Sequence, residues 1–161
     1  MAIADLFPAP DGILSLGPAN KAELLDMLAA EAARRLGRPE EDTEEDVLHA
    51  LMAREKLGST ALGRGIALPH ARLDWLQEPL AILARLTQPI DFEARDGEPV
   101  DLVFLVLWPE STPEGFLPAL SGICRALRDN GLPRRLRGAG SAAEALAMLQ
   151  AMDHADPDAQ P

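Results

Sequence analysis

The stretch VDLVFLVLW, residues 100–108, is nearly continuous in apolar and β-branched side chains. A short run of this kind, without alternating polar residues, is typical of a strand that is buried on both faces of a sheet. Pro109 follows at once and cannot donate a hydrogen bond to a neighbouring strand. The stretch therefore predicts the central strand of a sheet that other elements cover on both sides.

Helical and strand patterns alternate around this stretch. Apolar residues recur at helical spacing between Asn20, a predicted N-cap, and Gly37, a predicted C-terminal glycine. Thr43 and Ser141 each open a later helix in a capping-box-like pattern. The predicted helices cover residues 21–36, 43–56, 117–130 and 141–152, and the predicted strands cover residues 12–16, 65–69, 80–86, 90–92 and 100–108. This alternation predicts an α/β fold, with one sheet flanked by helices on both faces.

The length and composition suit one globular domain. The chain has 161 residues, of which 25% are charged and 47% hydrophobic, so it can bury a core of its own. We expect a loose N-terminal segment over residues 1–11 and the folded domain over residues 12–152. Residues 153–161 hold three Asp and two Pro, which predicts a flexible acidic tail.

The charge balance excludes several classes of partner. Fifteen basic against 26 acidic residues give a net charge of −11, which disfavours nucleic acid and anionic membrane surfaces as partners.

No apolar run is long enough to span a bilayer, and residues 1–11 lack the pattern of a signal peptide. The single cysteine, Cys124, suits a reducing compartment. We therefore expect a cytoplasmic protein with no direct membrane insertion.

The segment REKLGSTALGRGIALPHAR, residues 54–72, contains the residues best suited to bind an anion. Three glycines within eight residues permit backbone conformations that are closed to other residues, and they permit close approach of a ligand. Backbone N–H groups in such a loop, together with the hydroxyls of Ser59 and Thr60, can hold a charged oxygen group.

His70 is the candidate nucleophile of this segment. Pro69 fixes the backbone at the end of a short predicted strand and places His70 where side chains reach solvent. A neutral imidazole is a competent nucleophile toward a phosphoryl group. Arg54, at the end of a predicted helix, and Arg72 supply guanidinium groups that stabilise charge on transferring oxygens. The local chemistry thus allows a phosphohistidine site.

Other sites fit the same residues less well. The glycines are a near miss to the Walker A pattern, but Arg64 stands where lysine is needed and Gly65 where Ser or Thr should meet magnesium. The histidines and the cysteine lack the paired spacing of metal ligands, and no G-x-S-x-G motif marks a hydrolase. The residues alone leave open a glycine-rich connector with a solvent-facing histidine.

Residues 54–72 resemble the active-site segment of enzyme IIA proteins of the bacterial phosphotransferase system, in their fructose, mannitol and nitrogen class. The match is ungapped over the Arg-Glu pair, the Gly-Ser-Thr, the spaced glycines and the Ile-x-x-Pro-His, and it is closest to the free-standing nitrogen branch. Residues 89–92 and 99–104 are similar to the family's second half, and residues 134–136 to its late element. The resemblance covers about residues 12–152 and implies the enzyme IIA mannitol/fructose-type fold, with a mixed sheet.

This resemblance implies the role of His70. It implies that Nε2 of His70 accepts a phosphoryl group from a histidine phosphocarrier protein, and that Arg54 steadies that group. We infer that four further residues shape the phosphoryl pocket: Ser59, Thr60, Gly63 and Gly65. No metal and no diffusible cofactor is implied, because the group passes between two imidazoles. The two phosphorylation states would then bind cytoplasmic regulatory targets differently.

The chain departs from the family at Phe116, where many members carry a second histidine. We expect Phe116 to line the pocket, but it cannot donate a hydrogen bond to a phosphoryl oxygen. The departure therefore bears on the rate of transfer and on the lifetime of the phosphorylated form. Two alternatives stand beside a regulatory carrier: a sugar-specific subunit that passes the group to a permease-linked IIB domain, and a binding module of the same fold that has lost transfer.

Overall fold

The computed structural model describes residues 3–7, 13–38, 42–128 and 131–155, along which six strands and five α-helices alternate. The strands are β1 (Ile13–Leu16), β2 (Ala61–Gly63), β3 (Ile66–Ala67), β4 (His70–Leu73), β5 (Leu80–Ile90) and β6 (Val100–Pro109). The helices are α1 (Lys21–Leu36), α2 (Thr43–Lys56), α3 (Phe116–Arg128), α4 (Leu132–Gly138) and α5 (Ala142–Ala155). Two 3₁₀ turns lie at Ile3–Leu6 and Pro113–Gly115.

Strand β6 lies at the centre of a mixed sheet with the order β1-β5-β6-β3-β2. β5 pairs with one side of β6 in antiparallel orientation, and β1 pairs with β5 in parallel orientation. β3 and β4 share the other side of β6 in one register, with Ile66 facing Leu102 and His70 facing Val106. Between them Pro69 has no N–H, and its carbonyl accepts from the Val106 N–H at 3.0 Å. The two short strands therefore follow one line along β6.

The side chains of β6 alternate between two hydrophobic cores, one on each face of the sheet. One set packs with α1 and α2: Val103, Leu105 and Leu107. The other set packs with α3, α4 and α5: Leu102, Phe104, Val106 and Trp108. All seven are buried, so the prediction of a central strand covered on both faces is confirmed. The predicted α/β fold with one mixed sheet is confirmed as well.

Three of the four predicted helix-cap residues are present and one is not. Asn20 Oδ1 accepts from the Glu23 N–H at 2.8 Å, and Gly37 ends α1 with φ of 64°. Ser141 Oγ accepts from the Glu144 N–H at 3.1 Å, close to the start of α5. The prediction for Thr43 is wrong, because its buried hydroxyl donates to the Arg38 carbonyl.

Several short elements were not predicted. β2 and β4 each have only three or four residues, too few for alternation to reveal, and α4 begins with a Leu-Pro pair rather than an apolar stripe. β5 runs unbroken to Ile90, where two strands were predicted. Helix α5 extends three residues beyond the predicted end at residue 152. The predicted end of the third helix, residues 129–130, lies outside the described residues.

The N-terminal segment contributes to the second core. Within residues 1–11, which the sequence predicts to be loose, Leu6 and Phe7 are buried. The Phe7 ring lies edge-on to Phe104 with 5.9 Å between ring centroids. This contact brings residues 3–7 into the fold, whereas residues 156–161 of the predicted tail lie outside the described residues.

The two helix starts on this face of the sheet allow a matched test of capping. Asn20→Ala should lower the free energy of unfolding by about 1 kcal/mol, because the Glu23 N–H loses its acceptor. Asp42→Ala should lower the free energy of unfolding by much less, because Asp42, at the N-cap of α2, makes no side-chain capping hydrogen bond. Urea unfolding followed by circular dichroism measures both. Equal losses in the two variants would contradict the assignment.

Candidate functional site

His70 is the first residue of β4, where the sheet has no further strand beyond it among the described residues. Side chains alternate across a strand, and Ala71 and Leu73 point into the core beneath α1 and α2. His70 and Arg72 therefore point to the opposite face, the face that carries α3. His70 is half-buried there and Arg72 is exposed.

Two hydrogen bonds define the state of the His70 ring. Nδ1 lies 2.8 Å from the Leu68 carbonyl oxygen, which can only accept, so Nδ1 carries the ring proton. Nε2 then has a lone pair, and it accepts from Nε–H of Arg54 at 3.3 Å. The nitrogen that faces the guanidinium is thus the nucleophilic one.

Burial and charge keep this imidazole neutral. Burial lowers the pKa of His70 below its ordinary value of 6.5, and the positive charge of Arg54 lowers that pKa too. The bond to Leu68 and the carboxylate of Glu55 raise the same pKa without reversing the shift. His70 is therefore uncharged at neutral pH, which is the form that can attack phosphorus.

Arg54 reaches His70 from the last turn of α2. Its Nη1 donates to the Gly58 carbonyl at 2.8 Å, while its Nε points at the imidazole. The Gly58 N–H in turn donates to the carbonyl of Glu55 at 3.1 Å. Gly58 has φ of 145°, in a region that favours glycine, so the turn that holds Arg54 requires a glycine at this position.

Phe116 covers the other side of the imidazole. Its ring lies edge-on to His70 with 5.7 Å between centroids, and it packs on Trp108 at 5.8 Å. The Trp108 Nε1–H donates to the Thr112 carbonyl at 2.8 Å. A Cβ at Gly115 would lie 2.7 Å from the indole, so only glycine fits there. The position that departs from the family is a buried, apolar wall.

These residues border an open cleft of about 650 Å³ between the end of α2 and the start of α3. His70, Arg54, Arg72 and Phe116 line it together with Glu110. Two exposed leucines also line the cleft: Leu57 is 85% exposed and Leu117 is 70% exposed. An imidazole at the floor and two leucines at the rim form a surface suited to a protein partner.

The structure places Ser59 and Thr60 outside this cleft. Ser59 Oγ donates to the Phe92 carbonyl at 2.6 Å and accepts from the Ala61 N–H at 3.1 Å. Thr60 is buried, and its N–H and hydroxyl both donate to Glu55. Both hydroxyls hold the loop in place rather than pointing toward the imidazole.

Gly63 and Gly65 also lie apart from His70. They flank the β2–β3 turn with φ of 94° and 81°, and the Arg64 N–H between them donates to Asp96. The Gly65 carbonyl accepts from the Asp101 N–H, about five residues along β6 from the partner of His70. At about 3.3 Å per residue the separation is roughly 16 Å. Their positive φ angles allow the tight turn between β2 and β3, and this turn explains why the sequence has two glycines so close together.

Sequence reasoning missed the rim of the cleft. Leu117 and Glu110 lie more than 35 residues from His70 along the chain. Leu117 reaches the cleft at the start of α3, whereas Glu110 reaches it at the end of β6, where its N–H donates to the Leu73 carbonyl of β4. For Leu57 the sequence does contain a signal. It follows the polar helix end Arg54–Lys56 and precedes Gly58, a position that predicts an exposed leucine. Glu55 belongs to the same motif, and the sequence pattern does not indicate a role for it.

The part of the chain that the structure describes shows neither a metal site nor a membrane-spanning helix. There, no three His, Cys, Asp or Glu side chains converge as metal ligands would. No helix in the described part of the chain is long and apolar enough to cross a membrane.

The comparisons with known proteins agree with this geometry. Residues 13–152 match the family described as phosphoenolpyruvate-dependent sugar phosphotransferase system, EIIA 2. The chain belongs to this family. It is 46% identical over 143 residues to the nitrogen regulatory protein of Bradyrhizobium diazoefficiens, which covers 88% of this chain and 90% of that protein. The resemblance read from residues 54–72 is confirmed.

Solved structures give the same fold. The nitrogen regulatory protein IIA-Ntr of Neisseria meningitidis superposes with a TM-score of 0.83 at 31% identity, over 91% of this chain and 98% of that one. The mannitol IIA of Escherichia coli superposes with a TM-score of 0.69 at 21% identity, over 88% and 98%, and shows the fold alone. This chain is therefore an enzyme IIA of type 2 and a homologue of the nitrogen regulatory proteins.

A titration can test the electrostatics of the site directly. We expect His70 to titrate below 6.5 in the folded protein, because burial and the Arg54 charge both disfavour the imidazolium. Arg54→Gln should move the midpoint upward, because a nearby positive charge is lost. Proton–nitrogen NMR of the histidine rings against pH measures both, with His70→Gln for assignment. A wild-type midpoint at or above 6.5 would refute the description.

Proposed function

We propose that this protein is a phosphoryl carrier: Nε2 of His70 accepts a phosphoryl group from a phosphorylated histidine phosphocarrier protein. We further propose that its phosphorylation state controls how it binds cytoplasmic target proteins. One observation carries the proposal. The Leu68 carbonyl holds the proton on Nδ1 of His70, which leaves a neutral Nε2 beside a guanidinium in an open cleft.

The transfer is balanced between two imidazoles. The Nε2 lone pair forms a new bond to phosphorus while the bond from phosphorus to the donor nitrogen breaks, and that electron pair returns to the donor ring. Nδ1 of His70 keeps its proton on the Leu68 carbonyl. The phosphorylated ring takes up the positive charge that the donor ring gives up, so no further reactant enters the step.

Arg54 supports this step by charge and by position. Its Nε–H occupies the Nε2 lone pair at 3.3 Å, so this bond must break as that lone pair bonds to phosphorus, and the guanidinium then lies next to the phosphoryl oxygens. Fixed donors of this kind stabilise charge on transferring oxygens better than water does. Arg72 lines the same cleft two residues beyond His70 and adds a second positive charge on a chain of net charge −11.

The apolar rim supports docking of a protein donor rather than a small one. Leu57 and Leu117 flank His70 and are the two most exposed large hydrophobic side chains among the described residues. Apolar groups at the centre of an interface with charges around them are typical of protein complexes. Transfer between two protein-bound imidazoles requires such close docking.

Regulation is favoured over sugar transport by the relatives. Similarity to nitrogen regulatory proteins extends over most of this chain and of its relative, and phosphorylation would add −1.5 to −2 charges to the cleft. A shift of that size changes which partners bind. The family description includes sugar transport, so passage of the group to a permease IIB domain is the second candidate.

Phosphorylation of His70 is directly testable. Incubation with phosphoenolpyruvate, enzyme I and the phosphocarrier should add one acid-labile phosphoryl group, seen by intact mass spectrometry. His70→Ala should abolish the gain, whereas His49→Ala, on the exposed face of α2, should retain it. If labelled protein then passes the group to a IIB domain, the sugar-specific function is supported instead. No gain from any phosphocarrier would leave a binding module without transfer.

The rim can be tested with a matched pair of leucines. Leu117→Glu should weaken docking of the phosphocarrier by about 1 kcal/mol or more, which is roughly a fivefold rise in KM with little change in kcat. Leu62→Glu should leave both constants unchanged, because Leu62 is exposed but lines a different cavity beside Cys124. Transfer rates at varied phosphocarrier concentration measure these values. An equal effect of both substitutions would argue against docking at this cleft.

A further inference from the structure

The carboxylate of Glu55 makes an unusual set of contacts for a residue next to Arg54. Oε1 accepts from the Thr60 N–H at 3.1 Å, and Oε2 accepts from the Thr60 hydroxyl at 2.5 Å. Lys21 Nζ lies 3.0 Å from Oε1, and the Glu55 side chain is only 6% exposed. Glu55 thus ties the loop 57–60, which follows α2, to the first residue of α1.

The same loop is bonded to both residues that hold His70. At one end the Gly58 carbonyl accepts from Arg54, which contacts Nε2. At the other end the Thr60 carbonyl accepts from the Leu68 N–H at 3.0 Å, and the Leu68 carbonyl accepts from Nδ1. The hydrogen bonds therefore form a closed path from Glu55 through the loop to each nitrogen of the imidazole.

We infer that Glu55 is a positioning residue for the phosphoryl acceptor, and that it acts through the loop 57–60 on both nitrogens of His70. By fixing that loop it holds the Gly58 carbonyl, which aims Arg54, and the Thr60 carbonyl, which holds Leu68. Its contribution to transfer rests on the proposed function, whereas its control of the ring geometry does not.

A carboxylate is needed here because of its partners. A buried charge is costly unless it is paired, and Lys21, itself 15% exposed, pairs with Glu55 and lies over the Phe92 ring at 4.5 Å. Ser59 Oγ donates to the carbonyl of that same Phe92. Glutamine at position 55 keeps one acceptor oxygen for Thr60 but leaves Lys21 with the exposed Glu93, at 3.4 Å, as its acidic partner, so the anchor of the loop is weakened while the side-chain volume is conserved.

The Gly58 conformation explains why the loop needs an external anchor. Backbone bonds from the Leu57 and Gly58 N–H groups hold the chain up to Gly58, but a glycine at φ of 145° has wide conformational freedom and leaves the loop that follows it less defined. The carboxylate of Glu55 supplies two of the contacts that define it. Small displacements of a catalytic group lower rates strongly, because transfer requires aligned atoms.

The test compares Glu55→Gln and Thr60→Val with two controls. Thr60→Ser keeps the hydroxyl bond to Glu55, so it should restore the properties that Thr60→Val loses. Thr43→Val removes a different buried hydroxyl, at the start of α2. That hydroxyl donates to the Arg38 carbonyl and makes no bond to the loop 57–60. Nitrogen-15 NMR of the His70 ring reports the tautomer without any donor, and transfer rates at varied phosphocarrier concentration separate kcat from KM.

Glu55→Gln and Thr60→Val should each reduce the preference for the Nδ1–H tautomer of His70. They should also lower kcat by roughly 10- to 100-fold, with KM changed less than about twofold. In an Arg54→Gln background the further loss of kcat from Glu55→Gln should be smaller, because the branch through Gly58 and Arg54 is already lost and the branch through Thr60 and Leu68 remains. Thr60→Ser and Thr43→Val should keep the wild-type tautomer and kcat.

A wild-type tautomer and kcat in folded Glu55→Gln would overturn the inference, as would an equal loss in Thr43→Val at matched stability. If Glu55→Gln does not fold, Thr60→Val decides by the same readouts. If the wild-type protein accepts no phosphoryl group, the proposed function fails, and the tautomer of His70 in Glu55→Gln still decides the positioning role.

Discussion

The hydrogen bond from Nδ1 of His70 to the Leu68 carbonyl is the contact on which the chemistry of this molecule depends. It assigns the ring proton, and by doing so it leaves Nε2 as the nucleophile. Leu68 and Pro69 lie between β3 and β4, which keep one register along β6. The Leu68 carbonyl therefore lies at the break between the two strands, two residues before His70, where it orients the imidazole.

Two helix ends converge on that imidazole from different sides. The end of α2 brings Arg54 to Nε2, and the start of α3 brings Phe116 against the ring. Each helix is held by its own core on one face of the sheet, with β6 contributing side chains to both. The cleft is therefore assembled from rigid elements, which is what preorganised charge stabilisation requires. The loop 57–60 completes the arrangement by linking Arg54 to Leu68.

Phe116 changes the balance of forces in the cleft. Its apolar ring lies against the imidazole and is backed by Trp108. The polar contacts to the imidazole among the described residues then come from Leu68 and Arg54. Burial against that apolar wall contributes to the lowered pKa of His70 and favours the neutral nucleophile. Positioning of Arg54 gains importance accordingly, because a phenylalanine side chain has no hydrogen-bond donor to offer at this side of the ring.

The sequence by itself determined the central strand, the first two helices and the family, and it pointed to His70 as the candidate nucleophile. These depend on local features: an unbroken apolar run, helical spacing, capping residues and an ungapped motif around His70. Only the tertiary structure decided which motif residues reach the imidazole. Arg54 does, whereas Ser59, Thr60, Gly63 and Gly65 serve the loop and the hairpin. Neighbouring residues of a motif can point in opposite directions, so the motif alone does not show which of them face the imidazole. Leu117 lines the same cleft as His70 only because packing on β6 sets where α3 begins.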